Sequence, residues 1–386
     1  MNIITEDVYE KLRKIMNKFV LKVPKHEKLT DFLKECFTVE EAELLTHFTA
    51  PMIETLSAKK LAQRANLPEE KVTEMMEQLA KRGVVMREVV GKKEKKMYSL
   101  MTFFPGLYEF FFVAHKEHTP EQNKRAAEFY EEYYNSIYHK EVGASEFPFH
   151  RVLPSSAPVE HVKKLNINEN IEPKQEILPF EVVSDYIATS SRIGITMCQC
   201  RFHNDLLGRK ECDKQIDETC LALGIAADFL IKMGHGRLIS KEEAMDILKK
   251  CEENGMVHTT MNVRSGQDSL FICNCCPDCC VVLRELSKYE NPLTYAISNF
   301  KPIFNLESCK KCGTCVKICP LNALELIETK DGKMLNFNEE KCFGCGLCAS
   351  SCPHDAVKLE KIRDQIPAES LGDLLVKVDG TRVYYG

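Results

Sequence analysis

Nineteen cysteines in 386 residues dominate this sequence, and they fall in groups. Residues 1–190 hold one, residues 198–280 hold ten and residues 309–352 hold eight. A thiolate is a soft anionic ligand, so dense cysteine in a reducing compartment points to metal binding rather than to disulfides. The last eight obey one rule twice: Cys309-x2-Cys312-x2-Cys315-x3-Cys319-Pro320, then Cys342-x2-Cys345-x2-Cys348-x3-Cys352-Pro353. Three thiolates at i, i+3 and i+6 can wrap one face of a cubane iron–sulfur cluster on a tight loop, while the fourth points away. Two structural zinc sites would use paired CxxC elements, four ligands per site. The two additional CxxxCP elements favour iron.

This double pattern resembles that of bacterial two-cluster ferredoxins, from about Asn305 to Glu360. The resemblance implies two [4Fe–4S] clusters with crossed ligation. Cluster one would take Cys309, Cys312, Cys315 and Cys352; cluster two would take Cys342, Cys345, Cys348 and Cys319. Gly313, Gly344 and Gly346 would let the backbone turn closely and aim N–H groups at sulfur. Pro320 and Pro353 are expected to start the helices that follow. Between the halves, ALELIETKDGKMLNFN reads as strand, turn at Lys330-Asp331-Gly332 and strand. The repeat implies an internal pseudo-twofold, and the resemblance as a whole implies electron transfer.

The middle cysteines are less regular. Leu178 to Ala188 reads as a short helix and Ile193 to Cys200 as a strand, on which Cys198 and Cys200 would share a face. Cys212 follows, and Cys220 reads as the opening of an apolar helix. Ser240 with Glu243 caps a helix that should end at Asn254-Gly255. A hairpin with its turn at Arg264 to Gln267 leads into Cys273, Cys275, Cys276, Cys279 and Cys280, with Cys273 and Cys275 on one strand face. Two strands would thus deliver cysteines near their C-terminal ends to one metal-binding locus. Cys251 shares an apolar helix face with Ala244, Ile247 and Leu248 and reads as core, as does the isolated Cys36. The nine remaining thiols could hold one cluster with spares, two clusters, or a cluster and a zinc. The expectation is one or two additional [4Fe–4S] clusters. Cys198, Cys200, Cys212 and Cys220 form the first set; Cys273, Cys275, Cys276, Cys279 and Cys280 form a second or shared set.

The CCG motif of heterodisulfide reductase-like proteins is absent; Asn-Cys-Cys-Pro and Asp-Cys-Cys-Val stand instead. The CxCR and CNCC elements resemble those of uncharacterised ferredoxin-fused proteins of anaerobes, a likeness that carries no mechanism. His258 reads as a satisfied structural histidine. Arg201 reads either as a tuning or anion-binding group or as half of a surface ion pair.

The elements that must position these ligands begin in a cysteine-poor half. Thr38 with Glu41 makes a capping box, Ser57 a plausible N-cap, and Pro68 opens a helix carrying Val72, Met75, Met76 and Leu79, stopped by Gly83. Val84 to Val90 and Met97 to Leu100 read as two strands around a lysine-rich turn. This order resembles a winged helix-turn-helix domain over 38–100. Its would-be recognition helix, PEEKVTEMMEQLAKR, carries four Glu against three basic residues, which argues against a nucleic-acid partner. The run from Phe103 to Ala114 reads as a buried helix too short to cross a bilayer. The stripe Phe129, Tyr130, Tyr133, Tyr134 and Ile137 reads as core. Residues 144–180, rich in proline, read as an extended surface connection.

The expected architecture is α+β and multidomain. A helical region spans 1–143 with the winged-helix-like part at 38–100, and a linker spans 144–180. A mixed α/β cysteine-rich domain spans 181–290, a ferredoxin-like domain 300–360 and a C-terminal tail 361–386. The net charge of −5 gives no global attraction to nucleic acid or anionic lipid. The start lacks the apolar core of a signal peptide, so the chain reads as cytoplasmic. There is no GxxxxGK[ST] loop. Gly234-His-Gly236 lacks the third glycine of a dinucleotide fingerprint and follows a helix, so ATP, NAD and flavin are not indicated. The expected function is electron transfer between the ferredoxin clusters, the cysteine-rich domain and a partner oxidoreductase or redox subunit of an anaerobe. Two rivals are a reductase with a catalytic iron–sulfur site in the middle domain and a redox-sensing winged-helix regulator.

Overall fold

Several helices in this chain begin where a short polar side chain takes up their unpaired N–H groups. Thr38 and Glu41 form a reciprocal capping box on Val39–Leu45, Ser57 caps Ala58–Ala65, and Thr119 caps Pro120–Tyr133. In the computed structural model, which describes residues 6–92, 94–155, 178, 181–289, 291–330 and 332–383, these lie among the elements of the N-terminal half. Glu69–Lys81 follows and stops at Gly83, whose φ of +70° only glycine adopts freely. A β carbon there would sit 2.3 Å from the Phe110 carbonyl oxygen. Strands β1 (Val85–Val90) and β2 (Lys95–Leu100) then pair antiparallel.

The apolar run does not form one helix. Phe104, Pro105 and Gly106 have non-helical dihedrals, so the helix contracts to Tyr108–Val113. Tyr130, Tyr133 and Tyr134 are fully buried, and the Tyr108 and Tyr130 rings stack at 3.8 Å. Tyr108 Oη lies 2.8 Å from His203 Nδ1, and Tyr134 Oη donates to the Val281 carbonyl at 2.8 Å. The N-terminal half therefore shares its aromatic core with the cysteine-rich domain.

The expected linker is corrected over its first part. His150–Leu153 forms strand β3, buried throughout, because neighbours on both sides take up its backbone groups. Residues 156–177, 179 and 180 lie outside the described residues. The other strands of this sheet are β4 (Ile193–Thr196), β5 (Cys220–Leu223), β6 (Arg237–Leu238), β7 (Val257–Met261), β8 (Phe271–Cys275) and β9 (Tyr295–Ala296). Their spatial order is β6-β4-β5-β8-β7-β3-β9, antiparallel except for the β3–β9 pair.

Two sequence readings change here. β4 ends at Thr196, and Cys198 is the N-cap of helix Gln199–Leu206, so Cys198 and Cys200 do not share a strand face. Cys220 opens a strand rather than a helix; the helix starts at Gly224. Pairing with β4 and β8 on both sides outweighs the helical preference of LALGIAADFL. Helix Lys241–Glu253 has its Ser240 cap and ends at Asn254-Gly255, and β7 and β8 form the hairpin.

The C-terminal third adds β10 (Phe300–Phe304), β11 (Leu324–Thr329), β12 (Gly332–Phe337) and β13 (Val357–Lys361), with β10 paired to β13 and β11 to β12. Asp331 of the expected turn lies outside the described residues. Pro320 and Pro353 start no helix. The short helices Thr314–Ile318 and Leu347–Ser350 precede them, each containing the third cysteine of its motif and ending before the fourth. Proline disfavours helical geometry in the residue before it, and Cys319 is accordingly extended.

The segment after β13 is not a loose tail. Helix Leu371–Gly380 returns to the N-terminal half, where Ser145 Oγ donates to the Val378 carbonyl at 3.0 Å. Arg382 pairs with Glu141 at 2.6 and 2.9 Å. Among the described residues no helix is long and apolar enough to cross a membrane.

Candidate metal centres

The two C-terminal motifs match in backbone as well as in spacing. Gly313 and Gly346 have φ of +79° and +77°, Lys311 and Gly344 have +53° and +75°, and Asn322 and Asp355 both have +50°. The same offset of four residues brings an amide to the last sulfur of each motif. Ala323 N–H donates to Cys319 Sγ at 3.2 Å and Ala356 N–H to Cys352 Sγ at 3.4 Å. Such donors stabilise a metal-bound thiolate. The charges of Cys309 and Cys352 act on Cys315, and that of Cys319 acts on Cys342, Cys345 and Cys348, the last of which also feels Cys315. Cys319, Cys342, Cys345 and Cys348 also line one small cavity. Burial pushes the Cys345 thiol up to about 12, a cost that a bound cation would offset. These residues fit two cubane clusters, which would supply one-electron redox chemistry.

The middle cysteines gather at one end of the seven-stranded sheet, where β4 and β8 finish and β5 begins. Continuing the β5–β8 register places Cys220 opposite Cys273. The thiols of Cys198, Cys200, Cys280, Cys275, Cys273 and Cys220 interact each with the next, and Cys220 closes on Cys198. Six thiols thus form a closed ring. Its members are held by their surroundings: Leu283 N–H donates to Cys280 Sγ at 3.3 Å, and Thr259 Oγ1 lies 3.4 Å from Cys275 Sγ. The Cys198 thiol is held well below its ordinary range, first by hydrogen bonds from Cys200 and Cys220, then by the Arg201 charge and amide. Cys198 also occupies the N-cap position of a helix, where the dipole favours an anion.

Cys212 belongs elsewhere. Its sulfur lies 3.6 Å from Cys276 Sγ and 3.8 Å from Cys279 Sγ, and its amide donates to Asp278 Oδ2 at 3.0 Å. The expected set of Cys198, Cys200, Cys212 and Cys220 is therefore divided by the fold, as is the set drawn from residues 273–280. Cys212 sits on an irregular loop whose path the sequence pattern does not give. Burial opposes charge on Asp278, but hydrogen bonds from the Cys279 and Cys276 thiols and the Cys212 amide hold its carboxyl down to about 2.

Arg201 is fully buried and has no carboxylate partner among the described residues, so it is not a surface ion pair. It donates to the Gln215 carbonyl at 3.2 Å and to Thr219 Oγ1 at 3.0 Å, and it also donates to the Asn274 carbonyl. Its charge faces Cys198, Cys276 and Cys220. A buried cation needs an opposite charge, and among the described residues thiolates are placed to supply it. His258 is spoken for by Asn274 Oδ1 at 2.6 Å and Glu252 Oε1 at 3.1 Å, and Cys251 and Cys36 are core.

One wall of the ring opens on a cavity of about 100 Å³ that the N-terminal half closes with Met52, Met86, Phe104 and Phe110. Glu109 is the one acid on that wall among the described residues. It accepts from the Gly106 amide at 2.6 Å, and burial pushes its carboxyl up to about 8. Sequence reading passed over Asp278 and Glu109. The first had a signal, a carboxylate inside Cys-Pro-Asp-Cys. The second had none beyond being an acid in an apolar run.

The sequence profile of the 4Fe-4S dicluster domain family matches residues 303–359, the region of the β10–β13 and β11–β12 pairs described above. Searches of curated proteins and of solved structures returned no match. The C-terminal region of this α+β chain is a ferredoxin-type 4Fe-4S dicluster domain, and its general role is iron–sulfur electron transfer.

Proposed function

We propose that electrons pass through the ferredoxin clusters to or from the cysteine ring of the middle domain, with a partner oxidoreductase at the outer end. The observation that carries this reading is the docking of the Cys342–Cys348 loop on the sheet domain. Ser155 N–H donates to the Cys345 carbonyl at 2.8 Å and Ser298 N–H to the Phe343 carbonyl at 3.0 Å. Gly255, after helix Lys241–Glu253, packs so closely that a β carbon would meet Ile318 at 3.1 Å. The loop that would hold cluster two thus lies against the sheet domain. The Cys309 set faces outward, with Cys312 exposed, which suits exchange with a partner. Anaerobic purification with iron and sulfide analysis tests this: about twelve irons per chain are expected, three cubanes' worth, and about eight would sink a cluster in the ring.

A second reading is favoured by one further observation. Six thiols exceed the four that a cubane takes, and they adjoin a mainly apolar cavity with a single acid on its wall among the described residues. That arrangement suits reductive chemistry on a small molecule, with Glu109 placed to hold a proton. Cyanide added to the reduced protein should then perturb one EPR signal and spare the ferredoxin signals; an unchanged spectrum would remove this reading.

Regulation through DNA is not favoured. Glu77 on the would-be recognition helix already pairs with Arg87 at 2.9 Å and Lys96 at 2.8 Å from the hairpin, which takes up wing cations that phosphates would need.

A further inference from the structure

We infer that Cys212, Cys276, Cys279 and Asp278 form a separate site for a single tetrahedral zinc ion, beside the ring and independent of any cluster in it. Spacing carries the argument. Zinc–thiolate bonds of about 2.3 Å at tetrahedral angles put sulfurs about 3.8 Å apart. Cys212 Sγ lies 3.6 and 3.8 Å from its two cysteine neighbours. The ligand atoms of all four residues lie within 4.8 Å of one another. A cubane carries one thiolate on each outward-facing iron and needs a wider set. The same molecule supplies the contrast. Neither the eight ferredoxin cysteines nor the six of the ring bring three thiols that close together among the described residues.

The surroundings fit such an ion. Three thiolates and a carboxylate around a divalent metal carry net negative charge, and the Arg201 guanidinium, without a carboxylate of its own among the described residues, directs its charge at Cys276. Zinc has no redox chemistry, so the site would act as a staple rather than a relay. Residues 207–219 form no helix or strand, and Cys212 is the only cysteine in that stretch. Anchoring it to the Cys276–Cys279 turn fixes the loop that presents Gln215 and Thr219 to Arg201 and leads into Cys220.

The test is metal and sulfide analysis of the full chain, purified anaerobically, for the parent and for C212S and D278N. The parent should carry about one zinc per chain beyond its iron, in a tetrahedral sulfur-rich shell by X-ray absorption. C212S should lose that zinc, and D278N should hold it more weakly against a chelator, while iron and acid-labile sulfide stay at parental values. A parent without zinc would overturn the inference without any variant. So would a C212S protein that loses about four irons and four sulfides together, since the thiol would then serve a cubane. Because iron and sulfide report the clusters separately, failure here leaves the electron-transfer reading standing.

Discussion

The ferredoxin domain and the cysteine-rich domain both concentrate thiols, yet they assemble them in opposite ways. In the first, three of the four ligands in each set come from seven consecutive residues, Cys309 to Cys315 or Cys342 to Cys348. In the second, neighbouring thiols come from positions as distant as Cys200 and Cys280, joined only because β4, β5 and β8 lie side by side. A local loop carries its site with it. A site collected from a sheet exists only while the sheet is intact, and here the N-terminal half supplies part of the packing.

The sharpest way to break this comparison is Cys345→Ser. It should remove cluster two, about four irons, and leave middle-domain iron in place. Loss of all iron would show that the two regions are not separable.

Next in size is Arg201→Met, which leaves the buried thiolates without their counter-charge. It should cost about 3–5 kcal/mol, read as a large drop in the unfolding midpoint, with ferredoxin EPR signals retained. An unchanged midpoint would mean that the thiols around Arg201 are neutral.

Glu131→Gln probes how far the sheet-built site depends on the N-terminal half. Glu131 bonds Arg284 at 3.0 Å and Arg209 at 2.8 Å, and although burial opposes it, the arginine charge holds its carboxyl down to about 2. The unfolded value is about 4.3, so the folded state binds the proton more weakly. The stabilisation is therefore full above about pH 4.3 and is lost as pH falls toward 2. The variant should be less stable at neutral pH by about 3 kcal/mol and show a flatter acid limb in thermal melts. A parallel acid limb would assign the acid sensitivity to another carboxylate.

The smallest effects test the repeat itself. Gly344→Ala places a β carbon 2.3 Å from the Phe300 carbonyl oxygen and should destabilise the ferredoxin domain by about 2 kcal/mol or more. The matching Lys311 has the same left-handed backbone, so Lys311→Gly should stabilise by up to about 1 kcal/mol. Equal responses at the two positions would contradict the asymmetry of their surroundings.

Legibility follows the same division. The caps at Thr38, Ser57 and Ser240 and the β7–β8 hairpin could be read because each rests on residues a few positions apart. Cys220 was misread as opening a helix because its stretch is apolar enough for either structure, and strand pairing with residues 196 and 273 decided it. His150–Leu153 was misread as linker because a four-residue buried strand has no room for a pattern.

The sequence by itself determined the ferredoxin-type domain, since a loop that wraps a cube of iron and sulfur needs fixed spacing and turn residues that spacing reveals. It also showed that the middle region concentrates ten cysteines between residues 198 and 280. Only the tertiary structure decided which of those thiols meet. It moved Cys212 away from Cys198 and toward Cys276 and Cys279, brought Asp278 beside them, buried Arg201 against them, and set Glu109 across the cavity. Those choices depend on strand order and on contacts between residues tens to hundreds of positions apart, which no local pattern encodes.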